Sequence, residues 1–256
     1  MRAIRRPEVE PPALATFRNA RPDGTWEEAR DARVNGPVFT ALADAQGWVC
    51  AYCELRIEPG PRGQVEHFRP KAHSTAAENL HLAWDNLLAA CEGGARPDVD
   101  GPDRRSEPPY PETIHCGALK ADQDPRGRIL DPSRDVPAWP SVWRIDSEGH
   151  IYLNEEACTT VDMDPALARS TIACLGLNRA VLRRLRRSVL STLNRAIEDA
   201  APLDDASLDD DAWERARVEI TRAQLLPDNG RLPPFWTTIL DWGGPGALPD
   251  LHRTLK

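Results

Sequence analysis

The chain has 256 residues, of which 41% are hydrophobic and 28% charged, and carries a formal net charge of −8. That length suits one large domain or two small ones, and the acidic balance excludes a uniformly cationic nucleic-acid binder while leaving room for a local basic groove. No run of apolar residues is long enough to span a membrane, and the opening "MRAIRRPEVEPPAL" lacks the apolar centre of a signal peptide, so a cytoplasmic protein with no membrane partner is expected.

Residues 1–35 are rich in Pro and Arg with few periodic apolar positions, and predict an extended N-terminal arm. A short helix is expected from Gly36 and Pro37, because Val38, Leu42 and Ala45 share one helical face. It leads into Cys50 and Cys53. Residues 36–135 hold most of the chemistry-bearing side chains. Inside them, residues 93–113 are dense in Gly, Pro and Asp, the composition of a long inserted loop, and loops of this length are commonly functional or disordered.

Residues 136–256 predict a β-hairpin followed by helices. Two short β-rich runs flank "DSEG", the mark of a hairpin. Asp164 as N-cap, Pro165 at the first helical position and Gly176 as C-cap delimit one helix. Asn178 is expected to cap a second, whose apolar face is Leu182, Leu185, Val189, Leu190 and Leu193. Arg183, Arg184, Arg186 and Arg187 form a basic cluster on that helix. It reads either as a solvated face or as a docking surface for an acidic partner. A further helix, acidic at its start as the helix dipole favours, and a short aromatic-rich one from "PPFWTTILDW" complete the chain.

Six cysteines stand at 50, 53, 91, 116, 158 and 174. Clustered cysteines outside the secretory pathway bind metal or do redox work more often than they form disulfides. "CAYC" alone is ambiguous between half a zinc site and a redox pair. No thioredoxin-like βαβ pattern surrounds Cys50, which disfavours the redox reading. Structural zinc takes four thiolate or imidazole ligands in a tetrahedron, and Cys50, Cys53, Cys91 and Cys116 supply a complete set. Residues 93–113 would then be an insertion whose ends are clamped by the metal, and loop closure entropy grows only slowly with length. Cys91 and Cys116 could also be ordinary buried cysteines.

Between the two cysteine pairs lies "QVEHFRPK". Glu66 and His67 are adjacent, and Arg69 and Lys71 follow closely. An acid, a base and two cations so close together would be costly in a core, but suit a site that binds a metal ion and a phosphate.

Taken in order, "CAYCE", "VEHFRPK", "WDNLLAAC" and "HCGALKAD" resemble the HNH, or ββα-metal, nuclease motif. More closely, they resemble the PtuB-like HNH nuclease subunit of Septu-type anti-phage systems, also found as an effector beside some retrons. The likeness extends to "MRAIRRP", "RILDPSRD", "GHIYL" and "LGLNRAVLRRLR". It implies an α+β fold, mainly helical, with a small zinc-stapled ββα-metal core and a helical carboxy-terminal region. It also implies a metal-dependent endonuclease on nucleic acid, with DNA favoured and a specific RNA open.

On this reading His67 is the general base, because a neutral imidazole is available near pH 7. Glu66 holds a hard divalent ion, Mg²⁺ or Mn²⁺. Asn86 matches the motif's middle asparagine, whose implied role is to fix the loop that positions the histidine. Arg69, Lys71 and Lys120 are candidate phosphate contacts. Neighbours on a regular strand face opposite sides, so Glu66 and His67 can share a pocket only if the strand bends, and Pro70 suits such an end.

Two positions depart from the motif. Its last position, normally His or Asn, is Gly117, which offers no ligand, and Glu66 stands where Asp is common. Asp122 is the candidate replacement ligand, one turn along the same helix, with His115 as runner-up. His73, His81, His150 and His252 read as structural or surface residues. Two classes of function follow: a nuclease effector, or a zinc-stabilised adaptor that has lost catalysis. The chain has no P-loop, and the resemblance implies a separate ABC/SMC-like ATPase subunit of the PtuA type.

Overall fold

Two helices stand where residues 1–35 predicted an extended arm. In the computed structural model, which describes residues 1–94, 111–200 and 210–247, α1 spans Pro12–Ala20 and α2 spans Trp26–Asp31. Proline misled the sequence reading, because at the first helical position it starts a helix. Leu14 and Phe17, three residues apart, are buried on one face of α1. α2 opens with a reciprocal capping box between Thr25 and Glu28, which satisfies two otherwise orphaned backbone donors. Trp26 and Ala29 anchor it in the core.

α3 (Asn35–Gln46) buries Val38, Phe39, Leu42, Ala43 and Gln46, and ends at Gly47 in the left-handed conformation. The Gln46 side chain donates to the Val49 and Ala89 carbonyls and accepts from Ala89 N. It thereby stitches α3 to the strands that follow. β1 (Gln64–His67) pairs antiparallel with β2 (Leu87–Ala90), with Glu66 opposite Leu88 and His67 opposite Leu87. All four β2 residues are buried. Residues 95–110, most of the expected inserted loop, lie outside the described residues. The flanks of that segment meet, because His115 N donates to Gly93 O at 2.9 Å. Gly93 is in the left-handed region (φ 63°), and a β-carbon there would lie 2.1 Å from the His115 carbonyl. The short helix α4 (Cys116–Lys120) follows.

The expected hairpin is present as β3 (Trp143–Ile145) and β4 (Ile151–Leu153), a second two-stranded antiparallel sheet. α5 (Glu155–Thr160) and α6 (Pro165–Cys174) come next, the latter capped by Asp164, which accepts from Ala166 N. α7 spans Ala180–Ala200, α8 Asp210–Leu225 and α9 Trp236–Gly243. Asn178 does not cap α7 as expected. Its side chain accepts from Ile151 N and donates to Ile151 O, so it mimics a backbone partner for the open edge of β4.

The basic cluster on α7 also differs from expectation. Arg186 is 3% exposed and donates to the Gly149 and Leu177 carbonyls, with its guanidinium over the Phe235 ring. It is a core residue, while Arg184 and Arg187 are exposed and Arg183 is half-buried. The main apolar cluster draws on residues from Met1 to Phe235, and so on all three expected regions. The described residues thus form a mixture of helices and two small sheets. None of the described helices is long and apolar enough to cross a membrane. His252 lies outside the described residues.

Candidate functional site

Cys50, Cys53, Cys91 and Cys116 converge from three segments of chain, all buried, with their sulfurs within 4.8 Å of one another. All four are free thiols. A tetrahedron with metal–sulfur bonds of about 2.3 Å sets its sulfurs about 3.8 Å apart, and Cys53 Sγ to Cys91 Sγ is 3.6 Å. The donor set therefore fits a thiophilic metal such as zinc. Backbone bonds shape the first pair: Cys50 N donates to Leu55 O, and Glu54 N to Cys50 O. His115 is buried beside the cluster, its Nδ1 3.1 Å from Cys116 Sγ. It belongs to this group and not to the cleft described next. Cys158 and Cys174 take no part.

Glu66 and His67 line one cleft of about 600 Å³, together with Lys71, Lys120, Gly117 and Asp122. All four residues of β1, Gln64 to His67, border this cleft, so it runs along the strand and takes both neighbours. His67 is 8% exposed. Its Nε2 lies 3.1 Å from the His81 carbonyl, which can only accept. Nε2 therefore carries the proton, and Nδ1 is the free acceptor nitrogen. Trp26 packs edge-on against the ring at 5.1 Å between centroids. Burial lowers the His67 pKa from 6.5 to about 4, so the imidazole is neutral at pH 7.

The Glu66 carboxylate is held by Lys120 Nζ at 3.1 Å and by the Tyr52 hydroxyl at 3.5 Å. Burial raises its pKa, and the nearby Lys120 ammonium partly offsets this. Gly117 has a structural reason in this arrangement. A β-carbon there would lie 2.5 Å from Glu66 Oε2, closer than non-bonded atoms pack. The glutamate, one methylene longer than aspartate, fills the volume that a side chain at 117 would need.

Asn86 is 5% exposed. Its Oδ1 accepts from Arg69 N, and its Nδ2 donates to the Arg69 and Leu80 carbonyls. It thus clamps the chain two residues after His67 to the segment that carries His81. The candidate cations separate. Arg69 turns away from the cleft to Glu78, its Nη1 donating to both carboxylate oxygens. Lys71 lines the cleft and pairs with Glu27 of α2. Lys120 is 3% exposed and is committed to internal partners. Asp122 is exposed and lines the cleft, although α4 ends at Lys120. A turn at Ala121 (φ 49°) brings it there, and not a continued helix. Among the described residues, the four cysteines are the one group of three or more such ligands close enough to hold a metal. Glu66, His67 and Asp122 do not converge to that degree.

Sequence reading missed His81, Trp26 and Tyr52. His81 acts through its main-chain carbonyl, while its ring Nδ1 accepts from Trp26 N at 3.0 Å. No side-chain pattern advertises a carbonyl. Trp26 lay in the segment read as an arm. Tyr52, between the paired cysteines, was the one with a visible signal, since its phenol sits in the same short segment as the ligands.

Comparison with known proteins gives two relatives. The chain is 30% identical over 210 residues, 73% of its length and 78% of the relative's, to an Escherichia coli protein assigned by its name as the HNH endonuclease of retron Ec83. It is 26% identical over 152 residues, 59% of its length and 62% of the relative's, to a Vibrio cholerae (serotype O1 biovar El Tor) protein assigned as the HNH endonuclease of retron Vc95. No family model and no solved structure matches the chain.

Proposed function

The chain belongs to the HNH endonucleases associated with retrons, and from that premise we propose that the Glu66–His67 cleft is its phosphodiesterase site. The observation that carries this reading is the setting of His67. His67 lines the cleft, its ring Nε2 is committed to the His81 carbonyl, and Nδ1 is left to accept a proton. A neutral imidazole fixed in one tautomer is what a general base toward water requires. Asn86 serves it indirectly, by clamping the chain at Arg69.

Glu66, with Asp122 on the same cleft, is the proposed holder of Mg²⁺ or Mn²⁺; such an ion would stabilise charge on the phosphate and the leaving oxygen. Strand β1, strand β2 and helix α4 are read as the ββα-metal core, with zinc at the four cysteines as its staple. Lys71 is the proposed phosphate contact. Its pairing with Glu27 would exchange for a phosphate oxygen when nucleic acid enters. Arg69 is retained only as an outer contact, because Glu78 already holds it. DNA is the favoured substrate, with a specific RNA as the alternative.

The wider role proposed is that of a cytoplasmic effector in an anti-phage complex of the Septu type, like a PtuB subunit, controlled by an ABC/SMC-like ATPase. A zinc-bound adaptor with weakened catalysis is the second reading. It is favoured by Gly117 and by the loose spacing of Glu66, His67 and Asp122. Incubating the purified protein, alone and with its genomic neighbour, on plasmid DNA and on tRNA separates the two. Cleavage with Mg²⁺ or Mn²⁺ that EDTA abolishes supports the nuclease; no cleavage under any of these conditions supports the adaptor.

A further inference from the structure

We propose that Lys120 is a positioning residue of the cleavage site, fixing Glu66 and His67 with one buried ammonium, and is not a contact to phosphate. The inference rests on the nuclease reading above. An ammonium has three donors. That of Lys120 donates to the His67 carbonyl at 3.1 Å and the Ala121 carbonyl at 3.3 Å, and forms an ion pair with Glu66 Oε1 at 3.1 Å. The ammonium is engaged by all three groups, and the side chain is 2% exposed. To reach a phosphate the ammonium would have to abandon all of these partners and leave a buried carboxylate alone, which is strongly unfavourable.

The contacts define what the residue does. Glu66 and His67 are the last residues of β1, and Lys120 is the last residue of α4. One side chain therefore ties strand to helix and touches both adjacent groups of the proposed chemistry, the carboxylate of one and the main chain of the other. Gly117, three residues earlier on the same helix, lies against the same carboxylate, so α4 meets Glu66 through a glycine and an ammonium on one face. Three residues after Gly117, the motif position that would normally furnish a ligand, this chain places an internal cation that aims the ligand it keeps.

The test compares Lys120→Met with Lys71→Ala and His67→Ala. A fluorescein-labelled DNA duplex in EDTA reports binding, and nicking of supercoiled plasmid with Mn²⁺, in the presence of the neighbouring ATPase, reports kcat and KM. For Lys120→Met, kcat is expected to fall about 10²-fold, the cost of misplacing a reacting group. KM, duplex affinity and the salt dependence of binding should stay at wild-type values. Lys71→Ala should instead weaken binding and reduce the salt slope by about 1, as loss of a phosphate contact does. A Lys120→Met protein that binds more weakly with a reduced slope and an unchanged kcat overturns the proposal.

Should Lys120→Met misfold, Glu66→Gln/Lys120→Met removes both charges. It should melt near the wild-type temperature and be inactive, whereas a double variant no more stable than the single one overturns the pairing. The underlying reading fails separately. If His67→Ala nicks at the wild-type rate, or the wild type cuts neither plasmid nor tRNA, the site is not a nuclease. If His67→Ala is dead and Lys120→Met behaves as wild type, only the positioning role is lost.

Discussion

Gly117 and Glu66 are a matched pair: the carboxylate of one occupies the space in which the other would carry a side chain, with a β-carbon at 117 lying 2.5 Å from Glu66 Oε2. Glycine to alanine within a helix ordinarily gains about 1 kcal/mol. Here overpacking should cost about 1–3 kcal/mol and decide the sign. Gly117→Ala and Gly117→Asn should therefore melt at lower temperature and cut more slowly. In a Glu66→Asp background the shorter carboxylate vacates the volume, so Glu66→Asp/Gly117→Asn should recover part of the loss. A Gly117→Ala protein that is more stable than wild type and fully active contradicts the pairing.

The four-cysteine cluster makes a prediction about metal. Elemental analysis of protein purified without added metal should find one zinc per chain, if Cys50, Cys53, Cys91 and Cys116 hold it as their packing allows. Serine at any of the four should lose it and leave a poorly folded product, since structural zinc contributes on the order of 10 kcal/mol to small modules. Cys158→Ser and Cys174→Ser should keep the metal, although Cys158 is buried. A wild-type protein free of zinc that unfolds cooperatively would refute the assignment.

Asn86→Ala removes bonds to Arg69 N, Arg69 O and Leu80 O together. The buried Leu80 carbonyl left unpaired costs about 1–3 kcal/mol and the two part-buried Arg69 groups add less, so a loss of about 2–4 kcal/mol is expected in urea unfolding. Cleavage should fall as well, because the loop behind His67 loosens. Wild-type stability in this variant would show that Asn86 clamps nothing of consequence.

How much of this was legible in the sequence depends on what kind of signal each residue carries. The convergence of the four cysteines and the presence of Glu66 and His67 at one cleft were readable, because both rest on side chains at characteristic spacings. The hairpin and the Asp164 cap were readable because turns and caps are local. The contacts made by the His81 carbonyl and by Lys120 were not. His81 orients the imidazole through a main-chain oxygen, and Lys120 looks like any other cation in a basic motif until its burial is seen. Arg186 failed for the same reason: four arginines in five positions suggest a solvated face, yet helical periodicity puts 186 with Leu182, Leu190 and Leu193 on the buried side. Gly117 looked like a missing ligand because the residue that fills its place is distant in sequence.

Arg186 and its neighbours should accordingly separate in experiment. Arg186→Met leaves the Gly149 and Leu177 carbonyls without their charged donor, and should cost about 2–4 kcal/mol. Arg184→Glu and Arg187→Glu sit on the exposed face, where ion pairs such as Arg187–Glu148 contribute about 0–1 kcal/mol. They should leave stability nearly unchanged. If this face docks the proposed ATPase, the exposed double variant should fail to co-purify with it while remaining folded. Unaltered complex formation would move the interface elsewhere.

The most direct test of the account is His67→Ala, assayed on plasmid DNA and tRNA with Mn²⁺ and the neighbouring ATPase, alongside its zinc content and melting temperature. The account predicts a fall in cleavage of about 10²–10⁴-fold, the share a general base supplies, with the metal and the fold retained. Cleavage by His67→Ala at the wild-type rate would contradict it.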